Sequence, residues 1–310
     1  MTERSTGPSG GQPQWMQARE RGNAFWLAVM SWLSLRLGRS GSRLVLYGIA
    51  LYFLVFGGAA RRASREYLAR CLGRPAHGWE CYRHILAFAT TVHDRVYLLN
   101  DQFDRFDITH VGAGPLHAEY DDGGGLLMFG AHLGSFEVLR ALARQRPGLH
   151  MSMAMYPENA RQINEALAAI NPLARQDIIA LGTLDAMLAV HRTLDQGSMV
   201  GVLADRASGP DQYLAMPFLG SPARFPTGPF RMAVMLKRPV YFMAGIYLGG
   251  NRYQVHFERL EQAPPGTPRD AAIASLLGQY AAALERHCRA HPYNWFNFFD
   301  FWKQDSPDHA

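Results

Sequence analysis

The chain has 310 residues, 48% hydrophobic and only 18% charged, with a formal net charge of +5. That supplies one substantial core plus a smaller appended segment. Cys71, Cys81 and Cys288 are odd in number and form no C-x-x-C, and no His pair has zinc spacing, which excludes a disulfide scaffold and a structural zinc and points to a reducing, cytoplasmic setting.

Lys237 and Lys303 are the only lysines, so the positive charge is almost all Arg. Guanidinium suits phosphates, carboxylates or an anionic membrane face, although an Arg-favouring codon bias explains the same surplus. No long basic stripe or nucleic-acid motif is present, and nucleic acid is set aside as a partner. Low charge together with 12% aromatics fits contact with lipid, and equally a well-buried enzyme.

Residues 1–20 are rich in Gly, Pro, Ser and Gln, and are expected to be disordered and not a secretory signal. Two apolar runs follow within a segment, 21–66, expected to be helical and membrane-associated. Phe25 to Leu35 is the first. Leu44 to Ala60 is the second, without a charge over seventeen positions and flanked by Arg36, Arg39, Arg43, Arg61, Arg62 and Arg65. At ~1.5 Å per residue it covers about 25 Å, a little short of the ~30 Å hydrocarbon layer. It either spans with snorkelling Arg side chains or lies in one leaflet. Tyr82 to Leu99 reads as an amphipathic helix, with His84, His93 and Asp94 as polar residues on its face. Asp101, Asp104 and Asp107 read as a solvated loop, since they lack the Gly and closing Glu of a calcium loop.

The remainder, 67–310, reads as one catalytic domain. From about residue 108 short apolar runs alternate with amphipathic stretches. Strands are expected over Gly125–Ala131, His150–Tyr156, Asp177–Leu181, Met199–Leu203, Val240–Tyr247 and Tyr253–Leu260. Helices are expected over Ser135–Arg146, Ala160–Ile170, Leu184–Asp195, Pro226–Lys237 and Ala271–Ala290. This order implies an α/β fold, a mixed sheet flanked by helices, with the hydrophobic helical anchor at its N-terminus.

The sharpest local feature is His132-Leu-Gly-Ser-Phe-Glu137, just after a buried strand, where open α/β sheets place their ligands. Inside one helix, five steps would turn the two side chains about 140° apart. A His held before the helix, with Glu137 in its first turn and Gly134 at the corner, brings them together. A neutral imidazole then takes a proton from an attacking hydroxyl, and Glu137 fixes its tautomer. The bland alternative is a helix-capping His and a surface Glu. Asp205 and Arg206 end an apolar strand; Arg206 either binds a phosphate or pairs locally. No G-x-S-x-G elbow, Walker loop or dinucleotide fingerprint is present.

Taken in order, GLLMFGAHLGSFEVL, LADR, PFLGSPARFPTGPFRMA and RPVYFMAG resemble the lysophospholipid acyltransferase superfamily, most of all the late acyltransferases of lipid A biosynthesis. The resemblance runs from about residue 40 to 303. It implies a glycerolipid acyltransferase-like fold, a catalytic pair at His132 and Glu137, and substrate-binding roles for Asp205, Arg206 and Gly228. It also implies acyl carrier protein or coenzyme A as acyl donor, no cofactor and no metal. The setting it implies is membrane lipid at the cytoplasmic face of the inner membrane.

Two departures count against a phosphorylated-sugar acceptor. Met155-Tyr156 is followed by Pro157, with no Arg, and the C-terminus is the aromatic run YNWFNFFDFW, which either lines an acyl groove or straps the core. ARRASREYL, HDRVYLL and that tail resemble acyltransferases of aryl-polyene and lipid-linked polyketide clusters. The expected function is acyl transfer from a thioester to a hydroxyl or amine. The alternative is a non-catalytic membrane-bound binder of lipid or carrier protein on the same fold.

Overall fold

The computed structural model describes residues 24–138, 150–157, 178–206 and 212–303, with Asn159, Asn164, Leu167, Ala168, Ile170 and Asn171 between them. The N-terminal tail lies outside these residues, as do most of the helices expected over Ser135–Arg146 and Ala160–Ile170.

Three helical segments open the described chain: α1 (Ala24–Phe56), which is kinked at Gly38 where φ is +70°, α2 (Gly58–Leu72) and α3 (Gly78–Leu99). Then come β1 (Asp107–Val111), α4 (Ala113–Asp121), β2 (Leu126–Gly130), β3 (Met151–Met155), β4 (Ile178–Ala180), α5 (Leu184–Asp195) and β5 (Met199–Leu203). A hairpin, β6 (Tyr213–Phe218) and β7 (Ser221–Pro226), leads to α6 (Gly228–Leu236), β8 (Val240–Gly249), β9 (Arg252–Leu260) and α7 (Arg269–Ala290).

The sheet has the order β1-β9-β8-β2-β5-β3-β4 and is parallel at every step except β8–β9, so the expected mixed α/β sheet is what forms. Strand β2 is buried along its whole length, because helices cover both faces of the sheet. Its period of two divides the core. Leu127 and Phe129 face a layer with Phe230, Leu277 and Tyr280 of α6 and α7; Leu126 and Met128 face one with Tyr97 of α3 and Leu116 of α4.

The sequence patterns miss α4, β1 and the β6–β7 hairpin. β1 sits at the sheet edge with four of its five residues exposed, so it carries no alternation to read. In the two-stranded β6–β7 sheet, Pro217 stands opposite Pro222, a residue type that argues against a strand except at an edge. Leu219 and Gly220, both at positive φ, turn the hairpin.

The segment expected to be the anchor is not one continuous helix. Its Leu44 to Ala60 run breaks at Gly57, and Ser34–Phe56 and Gly58–Leu72 meet at a 94° bend. Among the described residues no single helix is long and apolar enough to cross a membrane, although that bent pair meets the length and composition together. The outer side of α1 leaves Leu44 and Phe56 each 71% exposed, and Trp32, Leu51, Tyr52, Phe53 and Val55 more than half exposed.

The inner side of α1 is clasped. His93 and Asp94 lie fully buried on α3, not on a polar surface. Arg39 reaches from α1 to grip Asp94 through both carboxylate oxygens, at 2.7 and 2.8 Å, and the Tyr253 hydroxyl donates to Oδ2 at 2.7 Å. Ser42 meets His93 Nε2 at 2.7 Å, and the Tyr97 hydroxyl donates to the Ser34 carbonyl at 2.8 Å. Burial pushes the Asp94 carboxyl up, but neighbouring His93, the Arg39 fork and the Tyr253 hydroxyl outweigh it and hold Asp94 below its usual value. His84 is buried too, and its role belongs to the site below.

Breaking a buried, hydrogen-bonded ion pair costs about 3–5 kcal/mol. Asp94→Asn is therefore expected to destabilise the protein by that order in denaturant titrations performed in detergent. The sign with pH follows from the lowered carboxyl. The stabilisation is complete above the ordinary aspartate value of about 3.9 and fades as pH falls through the lower folded value. The variant should lack that acid-side loss.

Candidate active site

The site is assembled by strand pairing. β2 and β5 are parallel neighbours, with Gly130 opposite Leu203, so the chains leave the sheet side by side at their carboxyl ends. Two residues further on, His132 and Asp205 face each other. His132 Nδ1 lies 2.9 Å from Asp205 Oδ1, and the His132 backbone N–H donates to Oδ2 at 3.2 Å.

Asp205 is fully buried. Burial pushes its carboxyl up, but the charges of His132 and Arg206 and the hydrogen bonds from His132 prevail, holding it far below the usual carboxylate range. An ionised carboxylate only accepts, so Nδ1 carries a proton, and in the neutral ring the lone pair is then on Nε2. The His132 side chain is 37% exposed, which leaves the ring within reach of a substrate.

This corrects the expected partner. The sequence pairs His132 with Glu137; the structure puts Asp205 on the imidazole instead. Glu137 is buried, and its Oε1 lies 3.5 Å from Arg95 Nε of α3. The corner explains the difference. Gly134 has φ +70°, and Ser135 N–H donates to the Gly245 carbonyl at 2.7 Å, drawing the chain across the end of β8. A Cβ at Gly134 would collide with the Gly245 carbonyl. Helical backbone begins only at Phe136, after that crossing.

Asp205 is thus a partner of the imidazole, where the sequence reading had it binding substrate. Arg206 lies beside it, with Nη2 at 3.6 Å from Asp205 Oδ2 and 3.4 Å from the Phe296 carbonyl, and its guanidinium 4.8 Å from the Phe299 ring centroid. Burial pulls the Arg206 pKa down despite Asp205. Gly228 opens α6, whose Phe230, Met232 and Ala233 are buried in the core. It holds a helix-opening place there, not a place in the His132–Asp205 cluster.

Of the two roles expected for the aromatic C-terminal run, the strap on the core is the one the structure shows, with Trp295 and Phe301 buried against Phe218 and Phe225; its contact with the His132 loop was not foreseen. Its backbone grips the loop that bears His132. Gly134 N–H donates to the Asn294 carbonyl and Phe296 N–H donates to the His132 carbonyl, both at 2.8 Å.

The sequence model for bacterial lipid A biosynthesis acyltransferases matches residues 16–304. The chain belongs to that family. Comparison with curated proteins returned no match. Membership makes this protein an acyltransferase, and within the family fold the His132–Asp205 pair is the arrangement fitted to general-base chemistry.

Asp205→Asn would present an amide to Nδ1 and remove the charge that stabilises a protonated ring. We expect it to lower acyl-transfer kcat by about 10²–10⁴-fold. Thiol release from an acyl thioester, followed by mass spectrometry on folded protein, measures this.

Proposed function

We propose that this acyltransferase moves a fatty or polyketide acyl chain from an acyl thioester to a hydroxyl or amine of a lipid or lipid-linked acceptor at the cytoplasmic face of the inner membrane. The observation that carries this reading is the imidazole whose Nδ1 is tied to a buried, ionised carboxylate while the ring stays accessible.

His132 Nε2 accepts the proton of the acceptor hydroxyl or amine as that atom attacks the thioester carbonyl. Asp205 stabilises the imidazolium that forms. The tetrahedral oxyanion is met by backbone N–H groups or by Arg206. Collapse breaks the C–S bond, and the imidazolium returns its proton to the departing thiolate. The products are the acylated acceptor and a free thiol, with His132 neutral again. These residues need no metal for the sequence of steps. Glu137, buried beside Arg95, supports the architecture under the loop, and Gly228 opens α6.

The donor is an acyl carrier protein or coenzyme A. The Arg-rich surface suits an acidic carrier protein and the phosphate of a pantetheine arm. The aromatic tail, and Pro157 where lipid A relatives carry Arg, favour an acceptor other than a phosphorylated sugar and support kinship with aryl-polyene-type enzymes. Attachment uses the outer face of α1, with Trp32, Leu44, Leu51, Phe53 and Phe56 in the lipid and the exposed Arg36, Arg62 and Arg65 at the headgroups. The bend at Gly57 favours a segment lying in one leaflet over one that spans.

His132→Ala should lower product formation by about 10²–10⁴-fold, read by lipid mass spectrometry of a strain whose protein level is checked. Unchanged lipid would refute the assignment. For attachment, a Leu44→Glu/Phe56→Glu double variant should move from the membrane pellet to the supernatant on fractionation. Retention in the pellet would remove this face from the account.

A further inference from the structure

The indole of Trp295 is fully buried, and its Nε1–H donates to Asp205 Oδ2 at 3.2 Å. The same Oδ2 receives the His132 backbone N–H at 3.2 Å, while Oδ1 faces the ring at 2.9 Å. A carboxylate held by donors on both oxygens cannot rotate about its terminal bond without losing one of them.

The residues around Trp295 lock it in turn. Leu133 and Trp295 form an antiparallel bridge, with the loop's hydrogen bonds to Asn294 and Phe296 on either side. Asn294 anchors this short segment to β8, accepting from Tyr247 N–H at 2.8 Å and donating to the Tyr247 carbonyl at 3.1 Å. The Trp295 carbonyl is capped by His84 Nε2 at 2.9 Å, while His84 Nδ1 meets Ser64 Oγ at 2.9 Å. A carbonyl only accepts, so His84 Nε2 carries the proton and Nδ1 receives the serine hydroxyl. Burial pushes the His84 pKa down to about 4 despite that carbonyl, so His84 stays neutral as a fixed strut at working pH. Ring contacts from Tyr67, Phe218 and Phe301, with centroids 5.0 to 5.3 Å away, set the plane of the indole.

We infer that Trp295 is a positioning residue for acyl transfer, acting through Asp205: its indole N–H fixes the carboxylate that holds the His132 tautomer, while the backbone of Asn294 and Phe296 on either side of it clamps the loop that carries His132. This rests on the reading of His132 as general base. It gives the aromatic tail a role in the reaction beyond packing. A phenylalanine, leucine or tyrosine at 295 fills space but offers no donor at that point.

The chemistry predicts a direction. A donor on Asp205 draws off part of the carboxylate's charge and weakens its hold on a proton shared with the ring. Removing that donor makes the His132–Asp205 unit take up a proton at higher pH. Among the described residues, the other charged or titratable groups that couple to the unit are Arg206, 3.6 Å from Asp205 Oδ2, Tyr280, whose hydroxyl donates to the Gly130 carbonyl at 2.8 Å, and the buried thiol of Cys288; neutral His84 holds the Trp295 carbonyl. The substitution leaves all of these in place.

The experiment compares wild type, Trp295→Phe and a variant with the benzothiophene analogue of tryptophan incorporated at 295, which keeps the bicyclic volume and lacks the N–H. Full-length protein labelled with ¹⁵N-histidine is titrated by NMR in detergent, with His132 assigned by its loss in His132→Gln. Turnover is followed with palmitoyl-coenzyme A and a total lipid extract. The His132 midpoint should rise by about 0.5–1 pH unit in both variants. Their kcat should fall about tenfold, with KM within about twofold.

An unmoved midpoint with the analogue would overturn the inference even if Trp295→Phe fails to fold, because the analogue preserves the packing. A fall in activity with no midpoint shift would reduce Trp295 to a packing residue and also overturn it. Failure of the general-base reading looks different: activity would survive His132→Ala, whatever happens at position 295.

Discussion

The register between two parallel strands decides what this site can be. Because Gly130 lies opposite Leu203, the second residue of each chain past the carboxyl edge of the sheet brings an imidazole and a carboxylate to 2.9 Å. A one-residue slip would turn every side chain of one strand to the other face. The buried runs of β2 and β5 prevent it, since Leu127, Phe129, Val200 and Val202 all belong to the layer beneath α6 and α7. The packing that stabilises the sheet therefore sets the chemistry at its edge. Charge completes the arrangement: a buried carboxylate stays ionised only while cationic or hydrogen-bonding neighbours surround it, and Asp205 has His132, Arg206 and Trp295.

How much of this was legible in the sequence depended on the range of each interaction. The strands that enter the middle of the sheet announce themselves as unbroken apolar runs, and α5 follows its amphipathic pattern from Leu184 to Asp195. His132 stands out because it ends such a run. Its partner does not, because the pairing joins residues 73 apart and the sequence offers a nearer carboxylate at Glu137. The glycine corner that leads the chain away was visible as Gly134, but not its direction, which is set by Gly245 on β8. The tail was legible as aromatic and opaque in purpose, since nothing local says that an indole N–H will meet Asp205. Edge strand β1 and the hairpin with its facing prolines show the same limit, their pairing being decided by neighbours and not by their own residues.

The first helix shows two demands met by one element. Toward the protein it carries Arg39 and Ser42 into a largely buried polar cluster with Asp94, His93 and Tyr253, which fixes its rotation as a purely apolar contact would not. Away from the protein it exposes large apolar side chains to a degree that water penalises and lipid does not. The orientation fixed by the clasp is thus what keeps the apolar side pointing outward. His84 links this region to the site, bridging Ser64 on α2 to the backbone of Trp295.

The segment that braces the site also has a consequence in time. A growing polypeptide carries the base from residue 132 and the carboxylate from residue 205, but the strap that secures them, 294–302, emerges from the ribosome tens of residues later. Until then Gly134 and His132 lack the backbone partners that hold their loop, and Asp205 lacks its indole donor. The nascent chain can complete its sheet before it can complete its chemistry, so competence to transfer an acyl group waits for the strap that follows the last strand by more than thirty residues.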